Sequence, residues 1–108
     1  MLLSFATKQL REICISEKVA TRKYGKAVAD GLRKRLADFR AAQVVKDLVA
    51  GNPCQNAAEG HEFKVDLPKG GRLIFTSSHT SQPIPTGGTI NWSKVSRIKI
   101  LRIEVKNV

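Results

Sequence analysis

The stretch Gly70-Gly71-Arg72-Leu73-Ile74-Phe75 decides the fold, because it follows the alternating run His61–Leu67 across a turn at Pro68-Lys69-Gly70. Two strand-like runs joined by Pro and Gly predict a β-hairpin. The alternation also sets the register, since a slip of one residue would turn every apolar side chain to the wrong face. The expected pairs are Asp66 with Arg72, Val65 with Leu73, and Phe63 with Phe75.

The two faces of this hairpin differ in chemistry. One face is apolar and is expected to join the core, with His61 on that side. The other face is expected to carry Glu62, Lys64, Asp66, Arg72 and Thr76. An arginine on such a face is either solvated or available to an anion, and strand arginines on open faces are commonly solvated. Both interpretations stay open at this point.

Length and charge limit the class of protein. The chain has 108 residues, which predicts one domain, and a net charge of +10 from 19 Lys and Arg against 9 Asp and Glu. This excess favours a polyanionic partner, nucleic acid first and an acidic protein or anionic membrane second. No apolar run approaches the ~20 residues that span a bilayer. With no signal-peptide pattern and only Cys14 and Cys54 as cysteines, the expected location is the cytoplasm.

The N-terminal half predicts a strand followed by helices. Leu2–Ala6 alternates, with Leu3 and Phe5 inward. Thr7 is a helix-capping residue type, and the first helix is expected to run to about Tyr24 with a break near Ile15-Ser16. After Gly25, a second helix is expected over Lys26–Arg40, with one apolar stripe.

The second half predicts mostly strands. Residues Ala42–Ala50 are expected to form one or two helical turns, and Cys54–Gly60 a loop. The long segment Thr76–Thr89, rich in Ser, Thr, Pro and Gly, is expected to be mobile or functional. Trp92 after it is expected to pack on the domain edge. The last strand, Arg97–Lys106, changes its apolar phase, which predicts a β-bulge or a strand covered on both faces.

The second helix and the residues before it form a basic surface. Two acidic residues, Asp30 and Asp38, stand against seven basic ones, which are Arg22, Lys23, Lys26, Arg33, Lys34, Arg35 and Arg40. A solvated helical face is the simplest explanation of such charges. The imbalance is too large for salt bridges between successive turns, so a docking surface for an anionic partner is favoured.

At this point the chain resembles a known family, the RelE/ParE toxins of bacterial type II toxin–antitoxin systems, and most of all their HigB-like (plasmid maintenance killer) branch. The resemblance spans nearly the whole chain and rests on pattern more than on invariant residues. The segments that carry it are Phe5–Arg11, Leu32–Ala42, Gly60–Phe75, Ile90–Val95 and Arg97–Leu101.

The resemblance implies a fold and an activity. The implied fold is one α+β domain over residues 1–108, in the order β-α-α-β-β-β, with two or three helices on one face of a mainly antiparallel sheet. The implied activity is a ribosome-dependent mRNA endonuclease that uses no metal or other cofactor. The implied partners are the ribosome, mRNA and a cognate antitoxin, a helix-turn-helix (HigA-like) protein that forms a hetero-oligomer with the toxin.

The resemblance also implies site residues. Attack of a ribose 2′-OH on phosphate needs a base, an acid and positive charge. Arg72 matches the third-strand arginine that stabilises phosphate, while Lys64 and Glu62 match positions of basic or acidic catalytic groups. Relatives commonly end in His or Tyr, which this chain lacks, so Lys106 is expected to share the work. The residues expected to bind RNA or ribosome are Lys69, Arg22, Lys23, Lys26, Arg33, Lys34 and Arg40.

Two other functions remain open. A ParE-like inhibitor of DNA gyrase has the same fold without the RNase residues, which fits the missing C-terminal His or Tyr. A non-catalytic, basic nucleic-acid-binding module would account equally well for the charge of +10.

Overall fold

The protein is a small α+β structure in which three helices pack with a five-stranded mixed sheet. The computed structural model describes residues 1–56, 61–78 and 90–105, so Lys106, His79 and most of the long polar segment lie outside the described residues. The elements are β1 Leu2–Phe5, α1 Lys8–Ile15, α2 Glu17–Tyr24, α3 Lys26–Ala41, β2 Cys54–Gln55, β3 Phe63–Asp66, β4 Arg72–Ser77 and β5 Arg97–Glu104.

The helix boundaries follow from single residues. The Thr7 hydroxyl accepts a hydrogen bond from the Leu10 N–H at 3.0 Å, which begins α1. Ser16 ends α1 and begins α2, because its hydroxyl accepts from the Val19 N–H at 3.3 Å while its own backbone is extended. Gly25 separates α2 from α3 at φ 87°, ψ 164°, a conformation almost confined to glycine. The predicted break near Ser16 is confirmed.

The sheet has the strand order β1-β5-β4-β3-β2. Strand β1 is parallel to β5, and the other three pairings are antiparallel. The β3–β4 hairpin has the register that its alternation predicts, with Asp66 opposite Arg72, Val65 opposite Leu73 and Phe63 opposite Phe75.

A β-bulge interrupts the pairing of β4 with β5. Ile74 lies opposite Arg102, whereas the next residue, Phe75, lies opposite Ile100, so Leu101 is the extra residue of β5. The phase change in the sequence is therefore a bulge. Because of this extra residue, the side chains of Arg102 and Glu104 lie on the same face of the sheet as that of Lys99, although Arg102 is an odd number of residues from Lys99.

The hydrophobic core lies between the helices and one face of the sheet. Phe39 of α3 and Phe75 of β4 are fully buried, and their ring centres are 5.0 Å apart. Helix α3 also packs on the turn between β3 and β4, since a Cβ at Gly31 would overlap Cδ of Pro68. Trp92 is partly buried against Phe63, with ring centres 4.9 Å apart, which confirms its expected packing.

The helical turn expected within residues 42–50 is confirmed as a 3-10 turn, Val45–Asp47. Two other expectations about local structure were wrong. The expected loop at Cys54–Gly60 begins with strand β2, because Cys54 and Gln55 pair with Lys64 and Phe63. His61 is exposed and precedes β3, so it does not join the core; its carbonyl accepts a hydrogen bond from the Thr76 hydroxyl.

Candidate functional site

The sheet has one face on which no described helix packs, and we call it the open face. Every strand contributes side chains to it, and the two-residue β2 contributes only Cys54, beside Lys64. Across the described strands and the residue that precedes β3, they are Leu2, Ser4, Glu62, Lys64, Asp66, Arg72, Ile74, Thr76, Arg97, Lys99, Arg102 and Glu104.

Four of these side chains form a continuous chain of ion pairs. Arg102 donates to both carboxylate oxygens of Glu62, at 2.7 and 2.8 Å, in a forked geometry. The Arg102 Nε also donates to Glu104 Oε2 at 2.9 Å, and Arg72 Nη2 donates to Glu104 Oε1 at 2.5 Å. The carboxylate of Glu104 therefore lies between two guanidinium groups on neighbouring strands.

These contacts fix the charge of each group. Hydrogen bonding from Arg102 is the main reason that the pKa of Glu62 and the pKa of Glu104 lie below their usual values. The same bonds raise the pKa of Arg102. At neutral pH the chain consequently alternates fully ionised carboxylates and guanidiniums.

Lys64 is held in a second pair on the same face. Its ammonium group lies 2.9 Å from Asp66 Oδ1, and its side chain is only 14% exposed. The hydrogen bond to Asp66 is the main reason that the pKa of Lys64 is raised, and it lowers the pKa of Asp66 in return. Lys64 therefore remains a cation at neutral pH, which suits it to stabilise negative charge rather than to accept a proton.

The open face is not uniformly polar, which corrects the sequence interpretation. Ile74 points to this face yet is fully buried. Its cross-strand neighbours are Lys64 and Arg102. Long charged side chains can cover an apolar neighbour with their methylene groups while their charged ends pair above it. We infer that the side chains of Lys64 and Arg102 cover Ile74 in this way.

A shallow depression opens at one end of the ion-pair chain. It has a volume of about 620 Å³ and is lined by Arg72, Glu104, Asp66 and the glycines of the hairpin turn. Lys69, in that turn, is exposed and has a positive φ of 60°. This end of the face is therefore concave, with the guanidinium of Arg72 and the carboxylates of Asp66 and Glu104 on its wall.

The structure brings together Glu62, Lys64 and Arg72 on the open face, but it separates them from the expected helical binding residues. Those residues lie in the helical layer; Arg22, Lys23, Lys26, Lys34 and Arg40 are exposed. Arg33 is exposed too, but its guanidinium pairs with Glu17 at 2.9 Å and with Asp30 at 3.6 Å. The chain thus presents two cationic surfaces in different layers.

Sequence reasoning missed two members of the site, Arg102 and Glu104. Both follow the bulge, and their place on the open face depends on the extra residue Leu101. The phase change in the last strand was the available signal, since it predicts that the residues after the bulge switch faces.

Within the described ranges, no three His, Cys, Asp or Glu side chains cluster so as to hold a metal ion. Cys14 and Cys54 are free thiols, and burial raises the pKa of Cys14 to about 11. No described helix is both long enough and apolar enough to cross a membrane.

Comparison with known proteins adds no relative to this description. No protein-family model, no curated protein and no solved structure matches the chain.

Proposed function

We propose that the protein is a RelE/ParE-type toxin of a type II toxin–antitoxin system that acts as a ribosome-dependent mRNA endonuclease. The observation that carries this proposal is the convergence of Arg72 and Arg102 on the single carboxylate of Glu104. The helices on one face of a small sheet, with the other face open and charged, support a RelE-like arrangement.

Two converging arginines suit a phosphodiester. A guanidinium presents the same planar fork to carboxylate and to phosphate oxygens. Arg72, Arg102 and Glu104 are 44%, 41% and 35% exposed. Ion pairs this exposed contribute only about 0–1 kcal/mol, so an incoming phosphate exchanges with Glu104 at low cost. The depression beside Arg72 leaves room for the sugar–phosphate backbone.

The reaction follows from these groups. The ribose 2′-oxygen attacks the adjacent phosphorus, the bond to the 5′-oxygen breaks, and a 2′,3′-cyclic phosphate and a 5′-hydroxyl result. Arg72 and Arg102 stabilise the extra negative charge of the transition state. Glu62 accepts the 2′-hydroxyl proton once Arg102 turns to the phosphate, because losing that hydrogen bond returns its pKa toward the ordinary value. Lys64 is the proposed proton donor to the leaving oxygen, and Lys106 stays a prediction outside the described residues.

The proposed partners use the two cationic surfaces differently. The helical cations, with Lys69 at the hairpin turn, are assigned to the ribosome, and the open face is assigned to mRNA. A cognate helix-turn-helix antitoxin with acidic segments would cover one of these surfaces in a cytoplasmic hetero-oligomer.

The first test compares the wild type with Arg72→Ala after induced expression. The readouts are growth and primer extension on a reporter mRNA. We expect codon-phased cuts and growth arrest with the wild type, and a loss of at least about 100-fold in cutting for Arg72→Ala, the size typical of removing one transition-state donor. Phased cuts that persist at full strength in Arg72→Ala would refute the assignment of Arg72.

A matched variant separates chemistry from charge. In Arg72→Ala the carboxylate of Glu104 loses one of its two arginine partners, and its negative charge then repels RNA. The double variant Arg72→Gln/Glu104→Gln removes one positive and one negative charge together, so the net charge is unchanged. Cutting that is lost in this variant assigns the effect to the guanidinium, and cutting that returns assigns it to repulsion by Glu104. Lys18→Ala, which removes an exposed cation of α2 that carries no proposed binding role, is the control for general loss of charge.

A second candidate function has its own supporting observation. Glu62, Lys64, Arg72 and Arg102 are all engaged in ion pairs. The pKa of Glu62 is lowered and those of Lys64 and Arg102 are raised, so each shift favours the charged form. This arrangement also fits a non-catalytic RNA-binding module, for which RNA binding without any cleavage on ribosomes is the expected result. Inhibition of gyrase stays a prediction; a supercoiling assay with purified gyrase tests it.

A further inference from the structure

The open face divides into two halves with different charge balance. The paired half consists of Glu62, Lys64, Asp66, Arg72, Arg102 and Glu104, which neutralise one another. The cationic half consists of Arg97 and Lys99 on β5, with Leu2 and Ser4 beside them on β1. Arg72, which the sequence predicts to stabilise phosphate, therefore lies in the half where carboxylates already neutralise the cations.

Arg97 and Lys99 lack such compensation. Both are exposed, and neither makes an ion pair with any residue that the structure describes. Every Asp and Glu of the chain except Glu59 is among the described residues, so the supply of carboxylates is nearly fully accounted for. The Cα atoms of residues i and i+2 of one strand are about 6.6 Å apart. The two cationic side chains therefore lie close together on the same face and repel each other.

The surroundings of these cations are slightly concave and open to solvent. A depression of about 500 Å³ is lined by Arg97 and Lys99 together with Leu2, Ser4, Ser77 and Ser78. Leu2 is 64% exposed at its edge. Two cations in a shallow concavity match the requirements of a sugar–phosphate backbone.

The position along β5 connects this depression to the proposed site of cleavage. Lys99 and Arg102 are three residues apart on the same strand, which corresponds to about 10 Å. Because the bulge at Leu101 turns both side chains to the open face, one extended strand of RNA lying along β5 reaches both. No described side chain of the open face is aromatic, so contacts to the phosphates are expected to supply most of the binding there.

We propose that Arg97 and Lys99 form a phosphate-binding subsite that anchors single-stranded RNA on the nucleotides next to the scissile phosphate. This inference rests on the proposed RNA-directed function but assigns binding and cleavage to different halves of the face. The cationic half supplies most of the electrostatic affinity of the open face, whereas Arg72 and Arg102 act on the phosphate during the reaction.

The test measures binding of labelled oligouridylate to the purified protein without ribosomes, over a series of salt concentrations. Each phosphate contact contributes about 0.7 to the slope of log affinity against log salt for a single strand. Arg97→Gln/Lys99→Gln is therefore expected to reduce the slope by about 1.4 and the affinity roughly 25-fold at 0.1 M salt. The control Arg11→Gln/Lys18→Gln removes the same charge from exposed positions of the helical layer that carry no proposed binding role, and it is expected to leave most of the slope.

Each outcome decides the matter. An unchanged slope in Arg97→Gln/Lys99→Gln overturns the subsite, and so does an equal loss in the helical control, since net charge alone would then explain binding. Polyglutamate bound as tightly as oligouridylate, with the same loss in the variant, would overturn RNA in favour of an acidic protein partner.

The subsite and the proposed function fail independently. If the wild type never cuts mRNA, the proposed function fails while the binding result stands, and if Arg72→Gln/Glu104→Gln still cuts, only the assignment of Arg72 fails. If Arg97→Gln/Lys99→Gln binds oligouridylate like the wild type while Arg72→Ala abolishes the phased cuts, only the subsite fails.

Discussion

Glu104 has two roles at the level of single residues. It joins Arg72 to Arg102 on neighbouring strands, and its carboxylate occupies the position that a substrate phosphate is proposed to take. A carboxylate there keeps two guanidiniums together without substrate, because like charges on adjacent strands would otherwise repel. Glu104 thus both occupies the proposed phosphate position and keeps the guanidinium groups of Arg72 and Arg102 close together.

The titration of this cluster predicts weaker folding in acid. The pKa values of Glu62, Asp66 and Glu104 are lowered in the folded protein, so the unfolded chain binds more protons as the pH falls. Their contribution is fully present above about pH 4, near the unfolded values, and is lost as the pH falls through the folded values. Urea unfolding at pH 7 and pH 3 should show a smaller drop for Glu104→Gln than for the wild type.

The control for this prediction is Glu12→Gln. Glu12 lies on α1 and makes no ion pair with a residue in the described part of the chain. Its substitution is expected to leave the difference between pH 7 and pH 3 unchanged. An equal drop in the wild type and Glu104→Gln would show that the ion-pair chain does not stabilise the fold.

The candidate site was only half predictable at this scale. Arg72, Lys64 and Glu62 were found because the hairpin alternation alone sets their face. Arg102 and Glu104 were not found, because their partners are about 30 to 40 residues away in sequence and depend on β5 pairing with β4. The sequence offers no local signal for which strands become neighbours.

At the level of elements, local rules predicted what depends on neighbouring residues. The Thr7 cap, the break at Ser16, the Gly25 boundary and the hairpin register all follow from the chain within a few positions. Strand β2 escaped prediction because two residues have no periodicity of their own and pair only when β3 is present. His61 escaped because the strand begins later than the alternation indicated.

The contact between α3 and the hairpin turn predicts that Gly31→Ala destabilises the protein, the opposite of the usual effect of this substitution in a helix. Alanine in place of glycine inside a helix normally stabilises by about 0.5–1 kcal/mol. At Gly31 the new Cβ would overlap Cδ of Pro68 and lie 2.6 Å from its Cγ. Gly31→Ala is therefore expected to lower the free energy of unfolding, since overpacking costs about 1–3 kcal/mol. Denaturant unfolding measures the difference.

The double variant tests the cause. Pro68→Ala removes both atoms that the new methyl group would meet. In that background Gly31→Ala is expected to stabilise again, by about 0.5–1 kcal/mol. A loss of stability that persists in the Pro68→Ala background would place the strain elsewhere along α3.

For the whole molecule, charge is the dominant feature. The net charge of +10 was readable from composition, and it predicted an anionic partner. The distribution of this charge over the surface could not be predicted from composition, because the open face and the helical layer each pair some of their cations with carboxylates and leave the rest exposed. The fold therefore converts one excess of charge into two separate surfaces.

This excess predicts that moderate salt stabilises the protein. Like charges repel across the surface, and raising the ionic strength shortens the Debye length to about 10 Å at 0.1 M. We expect the Tm, followed by circular dichroism, to rise between low salt and about 0.2 M NaCl. Arg97→Gln/Lys99→Gln, with less repulsion to screen, should show a smaller rise. A Tm that falls with salt would mean that the ion pairs outweigh the repulsion.

The place of β5 in the sheet has a consequence for protein synthesis. Strand β5 lies between β1 and β4, yet it is the last described strand in the sequence. Translation releases the chain from its N-terminal end, so β1 and β4 leave the ribosome with no strand between them. Arg102 and Glu104 also arrive only with β5. The open face is therefore assembled only after β5 has left the ribosome, when translation of the sheet is nearly complete.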